Sequence, residues 1–229
     1  AIILQTRQSS RLELARSLRW LAAFGILHGF FEWGDLFIPI QAEYLGRETM
    51  STLYNLHLIL LGLSFICLFE FGLTLVRPPR KSRWIHWPSI FLLAAWLTVC
   101  FVILAPAAEH SWHNTANALA RYFIGFPGGL LAAYGLRVHT MKRIRPLNVP
   151  RINQTFQVAG ISLAIYALLG GLIPPPVVFF PGNILNSSTF TDAIGAPPWI
   201  FRSVVATVIA FTIIRALEVF DVETQRRIE

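Results

Sequence analysis

Residues 18–40, LRWLAAFGILHGFFEWGDLFIPI, decide how this chain is read. The stretch is long and apolar enough to cross a bilayer, which takes roughly 20 such residues. Beyond Arg19 at its start, it nevertheless carries three titratable side chains, His28, Glu32 and Asp35. Hydrocarbon tolerates such groups only where they pair inside a bundle or line a wet cavity. His28 and Glu32 are four residues apart, so on a helix they share one face. What that face meets has to come from the rest of the chain.

The 229 residues are 55% hydrophobic and 14% charged, against about 25% charged in a soluble domain. The charges gather in short clusters between continuous apolar runs. That pattern predicts an all-α polytopic membrane helix bundle and argues against a membrane β-barrel, whose strands alternate. Six full spans are expected, near 18–37, 53–76, 88–104, 116–136, 156–172 and 199–214. Residues 1–5, AIILQ, read as the end of a truncated seventh span preceding these, and the chain as a piece of a longer protein. The bundle domain is thus 1–214, followed by a linker helix at 215–229.

Orientation comes from the basic residues. Arg7, Arg11, Arg16 and Arg19 precede the first full span, and Arg77, Arg80, Lys81 and Arg83 follow the second. Arg137, Lys142, Arg143, Arg145 and Arg151 follow the fourth, and Arg215, Arg226 and Arg227 the sixth. Only Arg47, Arg121 and Arg202 are left for the other side. This alternation places the basic connections and the C-terminus in the cytoplasm. It also accounts for the net charge of +7 without any nucleic-acid partner.

The outer half of the spans holds most of the remaining ionisable groups. His28, Glu32 and Asp35 share the first span with His57 following on the second. Glu109, His110 and His113 join the third span to the fourth, Arg121 and Tyr122 lie in the outer part of the fourth, and Arg202 opens the sixth. Glu70 alone lies toward the cytoplasmic end. Residues 173–198, IPPPVVFFPGNILNSSTFTDAIGAPP, form a long proline-rich outer connection. Loops of that length are uncommon without a role, and this one is expected to fold over the outer mouth or to lie among the headgroups. Together these features predict a ligand pocket built from His28, Glu32, Asp35, His57, Arg121, Tyr122 and Arg202. Phe30, Phe31, Trp33, Trp112, Phe123 and Trp199 lie near it and suit an amphipathic molecule. The plainer alternative is an internal ion-pair network that keeps the helices in register.

A metal or haem held by His28, Glu32, His57, His110 and His113 is a third reading, with no HExxH, CxxCH or Cys/His spacing behind it. No cofactor is predicted. Cys67 and Cys100 sit within spans at different depths and read as small buried hydrophobes. Pro127-Gly128-Gly129, in mid-span, predicts a kink, and Gly170-Gly171 predicts close helix contact.

The segment 14–37, LARSLRWLAAFGILHGFFEWGDLF with its His28-Gly29-Phe30-Phe31-Glu32-Trp33 motif, and the exit RALEVFDVETQRRIE at 215–229, resemble the membrane-sensor regions of bacterial sensor histidine kinases. The resemblance implies a multi-span input module in a bacterial inner membrane, whose last helix runs into a cytoplasmic output domain. It assigns no chemistry to the motif, and the chain has neither a phosphoacceptor histidine box nor an ATP-binding glycine motif. Leu217, Phe220, Thr224 and Arg227 follow coiled-coil spacing, so a homodimer through the exit helix is expected. The expected function is detection of a small ligand, lipid or redox cue at the outer cavity, with membrane lipid as a further partner. The alternative is a structural or cofactor-binding subunit of an integral membrane complex.

Overall fold

The computed structural model describes residues 2–76, 86–105, 112–144 and 150–225; for 2–16, 143–144, 150–152 and 216–225 only the backbone is described. Those residues are overwhelmingly helical and contain no strand. The helices are α1 (Ile2–Gln41), α2 (Arg47–Val76), α3 (Trp87–Thr98), α4 (Trp112–Ala120), α5 (Phe126–His139), α6 (Pro150–Gly171), α7 (Ser187–Ile194) and α8 (Pro198–Gln225). A π-helical turn at Val99–Leu104 extends α3, one at Arg121–Gly125 joins α4 to α5, and one at Thr140–Ile144 extends α5.

Five helical stretches are long and apolar enough to cross a membrane: Ser17–Gln41, Arg47–Val76, Trp87–Leu104, Asn153–Gly171 and Pro198–Arg215. Their outward faces explain the composition. Phe30, Phe91, Val102, Ile161 and Phe211 are all more than half exposed, as expected for surfaces whose solvent is lipid. The helices α4 and α5 form one helical rod only through the π-helical turn, which breaks the regular ladder in the middle of the expected fourth span. At the N-terminus, α1 runs unbroken from Ile2 through Gln41. The connection expected between a preceding span ending at 5 and a first full span starting at 18 is therefore helical.

The helix α2 is the centre of the bundle: 67% of its most apolar window is buried, against 17% for Trp87–Leu104 at the periphery. It packs on α1 and α5, α6 packs on α5, and α8 packs on α6. Leu58, Leu61, Phe65, Leu68 and Phe71 of α2 fill the core with Phe31 of α1, Ile124, Leu136 of α5 and Leu163 of α6. The indole of Trp96 wedges against α2 at Gly62 and donates to the Ala116 carbonyl at 3.1 Å.

Small residues set the helix spacing. A β-carbon on Gly72 of α2 would lie 2.5 Å from the Ala132 backbone nitrogen of α5. One on Gly129 would meet Ala167 of α6 at 2.6 Å, and one on Gly171 would meet Phe126 at 2.6 Å. Without a driving force between helices in lipid, such backbone approach is what gains dispersion contact. Gly171 thus fulfils the expected close contact. The Pro127 expectation is met differently. Proline cannot donate to the ladder and its ring crowds the carbonyl of the preceding turn, and the wider π-helical turn at Arg121–Gly125 sits where that strain falls.

The connection between α6 and α8 is ordered by one buried side chain. Asn186 accepts from the Ser188 and Thr189 backbone amides, donates to the Gly182 carbonyl at 2.9 Å, and forms a reciprocal capping box with Thr189 at the start of α7. The Ser187 amide ties the same turn to the Pro174 carbonyl at 2.9 Å. Val178, 94% exposed, and Phe180 point outward instead.

Gly72→Ala should destabilise the bundle by about 1–3 kcal/mol through overpacking against backbone. Gly25→Ala, where nothing lies within 4 Å, should cost nothing. Thermal unfolding in detergent measures both; equal effects would refute this account of the α2–α5 contact.

Candidate functional site

The site begins with Glu32. On α1 it lies one helical turn above His28, and the His28 Nε2 to Glu32 Oε1 separation is 3.4 Å. From α8, Arg202 Nη2 reaches both carboxylate oxygens, at 3.1 Å to Oε1 and 3.2 Å to Oε2. The two residues are 170 positions apart in the chain, and their pairing joins the first and last helices of the bundle. Charge-assisted contacts of this kind are what lets ionised groups persist in a low-dielectric interior.

Below this pair, His28 is buried. Its Nδ1 lies 2.9 Å from Ser64 Oγ on α2, and the Ser64 hydroxyl donates to the Leu61 carbonyl at 2.7 Å. With the Ser64 proton so used, its oxygen accepts from His28 Nδ1–H. His28 Nε2 then faces Glu32 Oε1 lone pair to lone pair, an approach that one shared proton relieves. Phe24, Phe31, Phe65 and Tyr166 surround the imidazole with ring centroids 5.1–5.9 Å away.

Arg121 is the largest fully buried side chain, 2% exposed. It sits in the π-helical turn and uses neutral partners. Its Nε donates to Asn117 Oδ1 at 2.7 Å and its Nη1 to the Gly170 carbonyl at 2.6 Å. Gly170 lies in the last turn of α6, where carbonyls lack helical partners and carry the negative end of the dipole. The guanidinium also lies 5.8 Å from the Phe31 ring centroid and 5.9 Å from that of Phe65, within cation–π range. Among the described residues no carboxylate comes within ion-pair distance of it.

His57 on α2 donates from Nε2 to the Phe31 carbonyl at 2.7 Å and stacks on the Phe31 ring at 4.2 Å. Asp35 Oδ1 is 3.6 Å from the same nitrogen. Gly34 makes this possible, since a β-carbon there would lie 2.5 Å from the His57 ring. His113, at the N-terminal end of α4 before the apolar run, bonds Asn55 Oδ1 at 3.0 Å, and burial holds its imidazole below the ordinary histidine range.

Two cavities open here. A cavity of about 550 Å³ is lined by Asp35, Arg121 and Arg202 on the bundle side and by Ile173–Pro175, Ser187, Ser188, Thr191, Asp192 and Pro197–Trp199 on the loop side. A smaller one of about 140 Å³ lies between Asp35, Tyr54, His57, His113 and Asn117. The 173–198 connection therefore walls the larger cavity with its two ends while its middle faces outward.

Of the pocket residues expected from sequence, Asp35, Arg121 and Arg202 line the main cavity, and Glu32 and His28 lie behind it. His57 lines the smaller one. Tyr122 is beneath the loop instead, with its ring against Phe179 and its hydroxyl close to Gly182. Of the expected aromatics, Phe31 is buried in the site and Trp199 lines the cavity, but Phe30, Trp33 and Phe123 point outward, 59–64% exposed. Side-chain direction on a helix, unlike depth, depends on neighbours absent from the local sequence.

The metal set separates. His28, His57 and His113 each keep a different partner, and among the described residues no three His, Cys, Asp or Glu side chains gather as a metal site would require. His110 and Glu109 lie outside the described residues. Sequence reasoning missed Tyr166 and did not foresee that Ser64 and Asn117 would partner His28 and Arg121. It also missed His86, which pairs with the buried Glu70 at 2.9 Å at the opposite end of the bundle.

Comparison with family models, with curated proteins and with solved structures returns no match.

Removing one member of the Glu32–Arg202 pair strands the other. Arg202→Met should cost about 3 kcal/mol, the lower end for a buried pair, because the Glu32 side chain stays 23% exposed. The double variant Glu32→Gln/Arg202→Met should recover part of that loss. Strict additivity of the two single changes in detergent unfolding would show that the contact carries no coupling energy.

Proposed function

We propose that this chain is the membrane-embedded signal-input module of a bacterial two-component-type signalling protein, with a small-ligand site at the outer cavity. The supporting observation is that one helix belongs to both the cavity and the exit. Arg202 lines the cavity near the start of α8, and α8 continues without a break to Gln225. At 1.5 Å per residue that is a rod of roughly 35 Å, long enough to carry a displacement from one leaflet to beyond the other.

In this reading the chain crosses the inner membrane six times, with the α4–α5 rod as the crossing that the five apolar helices leave out. The basic connections and the C-terminus lie in the cytoplasm, and the cavity opens outside. The movable element is the Arg202 guanidinium. In one state it is held by Glu32 on α1; in the other a bound molecule competes for it and α8 shifts relative to α1. A ligand moves such an equilibrium only through its different affinity for the two states, and a charged group with two alternative partners supplies that difference. The exit helices pair in a homodimer and pass the shift of α8 to the cytoplasmic side.

Replacing His28 by Ala or Glu32 by Gln in the full-length protein should shift or abolish its output while the protein stays folded and in the membrane. Unchanged output from folded variants would remove this cluster from the signalling mechanism.

A further inference from the structure

The cavity lined by Arg121 and Arg202 is asymmetric in its hydrogen-bonding supply. An arginine has five N–H groups and no acceptor. Arg121 spends two of them, on Asn117 and Gly170. Arg202 turns Nη2 toward Glu32, and its Nε is buried without a hydrogen-bond partner. Both guanidiniums line the cavity, and both are more than nine-tenths buried. Unspent donors of this kind are costly to bury unless something accepts from them.

The opposite wall is of another character. Ile173, Pro174, Pro175, Pro197, Pro198 and Trp199 present a stiff, largely apolar surface. The volume of about 550 Å³ falls in the range of small-molecule sites. It is far larger than an inorganic anion needs.

The geometry points to a small amphipathic monocarboxylate as the ligand, with its carboxylate received between Arg121 and Arg202 and its apolar body against the proline–tryptophan wall. This deepens the input-module reading and rests on it for biological meaning. A planar carboxylate matches the guanidinium fork, and both arginines line the cavity that would receive it. The charge limit comes from the same cavity. Asp35 and Asp192 also line it, and the Asp35 side chain remains 48% exposed. They penalise a second negative charge on the ligand, which disfavours dicarboxylates and phosphate dianions.

The test uses the purified chain in nanodiscs, with 3-phenylpropionate as probe and 3-phenylpropionamide as its uncharged isostere, and empty nanodiscs correcting for partition into lipid. The acid should bind saturably, roughly ten- to hundredfold tighter than the amide, the worth of hydrogen bonds to a charged group. Arg121→Lys should erase most of that preference. Asp35→Asn, which leaves the arginines untouched, should tighten binding of the acid and not of the amide. Equal binding of acid and amide, no saturable binding of the acid, or an unchanged preference in folded Arg121→Lys would each overturn the assignment. Should Arg121→Lys fail to fold, the acid–amide contrast and the Asp35→Asn response decide the matter alone. Failure of the input-module reading looks different: the acid binds with the stated preference while output in the full-length protein ignores substitutions at the site.

Discussion

Charged groups inside a helix bundle need polar partners, and for Glu32 and Arg202 that partner is the other, a constraint that organises this protein. Glu32 and Arg202 sit on the first and last helices, yet they meet at 3.1 Å. The chain order of packing, α1 on α2, α2 on α5, α5 on α6 and α6 on α8, is thereby closed at one end by a single polar contact. Desolvation makes such a pair expensive to form and more expensive to halve. Its structural consequence is register. Only one depth of α8 relative to α1 brings the two groups together, and only one depth of α2 relative to α1 puts His28 level with Ser64.

The second guanidinium is delivered by backbone irregularity. Pro127 cannot sit in a regular ladder, and the π-helical turn before it carries Arg121 at its first position. Glycines let the neighbouring helices close around the distortion, with Phe65 against Gly125 and Phe126 against Gly171. Arg121 then spans from its own rod to the unsatisfied carbonyls ending α6. A sequence feature that weakens a helix is thus placed where the weakness positions a charge, the usual setting of π-helical turns.

The alternation of apolar runs with basic connections, and the depth of each titratable residue, were legible in the sequence because the bilayer imposes both on local composition. Depth was enough to group Glu32, Asp35, Arg121 and Arg202 at one end. Azimuth was not. Phe31 faces the core and Phe30 the lipid, though both are phenylalanines in one run, and only α2 and α8 make the difference. Partner identity was equally hidden: Ser64 and Asn117 look like incidental polar residues until His28 and Arg121 arrive from other helices. The loop at 173–198 announced itself by length and proline content, but its order derives from Asn186, an ordinary asparagine whose capping role needs Gly182 and Thr189 in place. Cavity volume is a property of several helices at once and has no one-dimensional signature.

In the proposed input role the polar cluster is both a strut and a receptor for a competing anion, with α8 as the element that reports which partner Arg202 holds. Everything in that account depends on Glu32 and Arg202 being in contact within the bilayer. Magic-angle-spinning NMR of the protein in lipid, with labelled glutamate and arginine, measures it directly. The account predicts a cross peak between the Glu32 carboxylate carbon and the Arg202 guanidinium nitrogens. A Glu32 carboxyl group that instead contacts water or lipid, with no arginine nitrogen nearby, would contradict it.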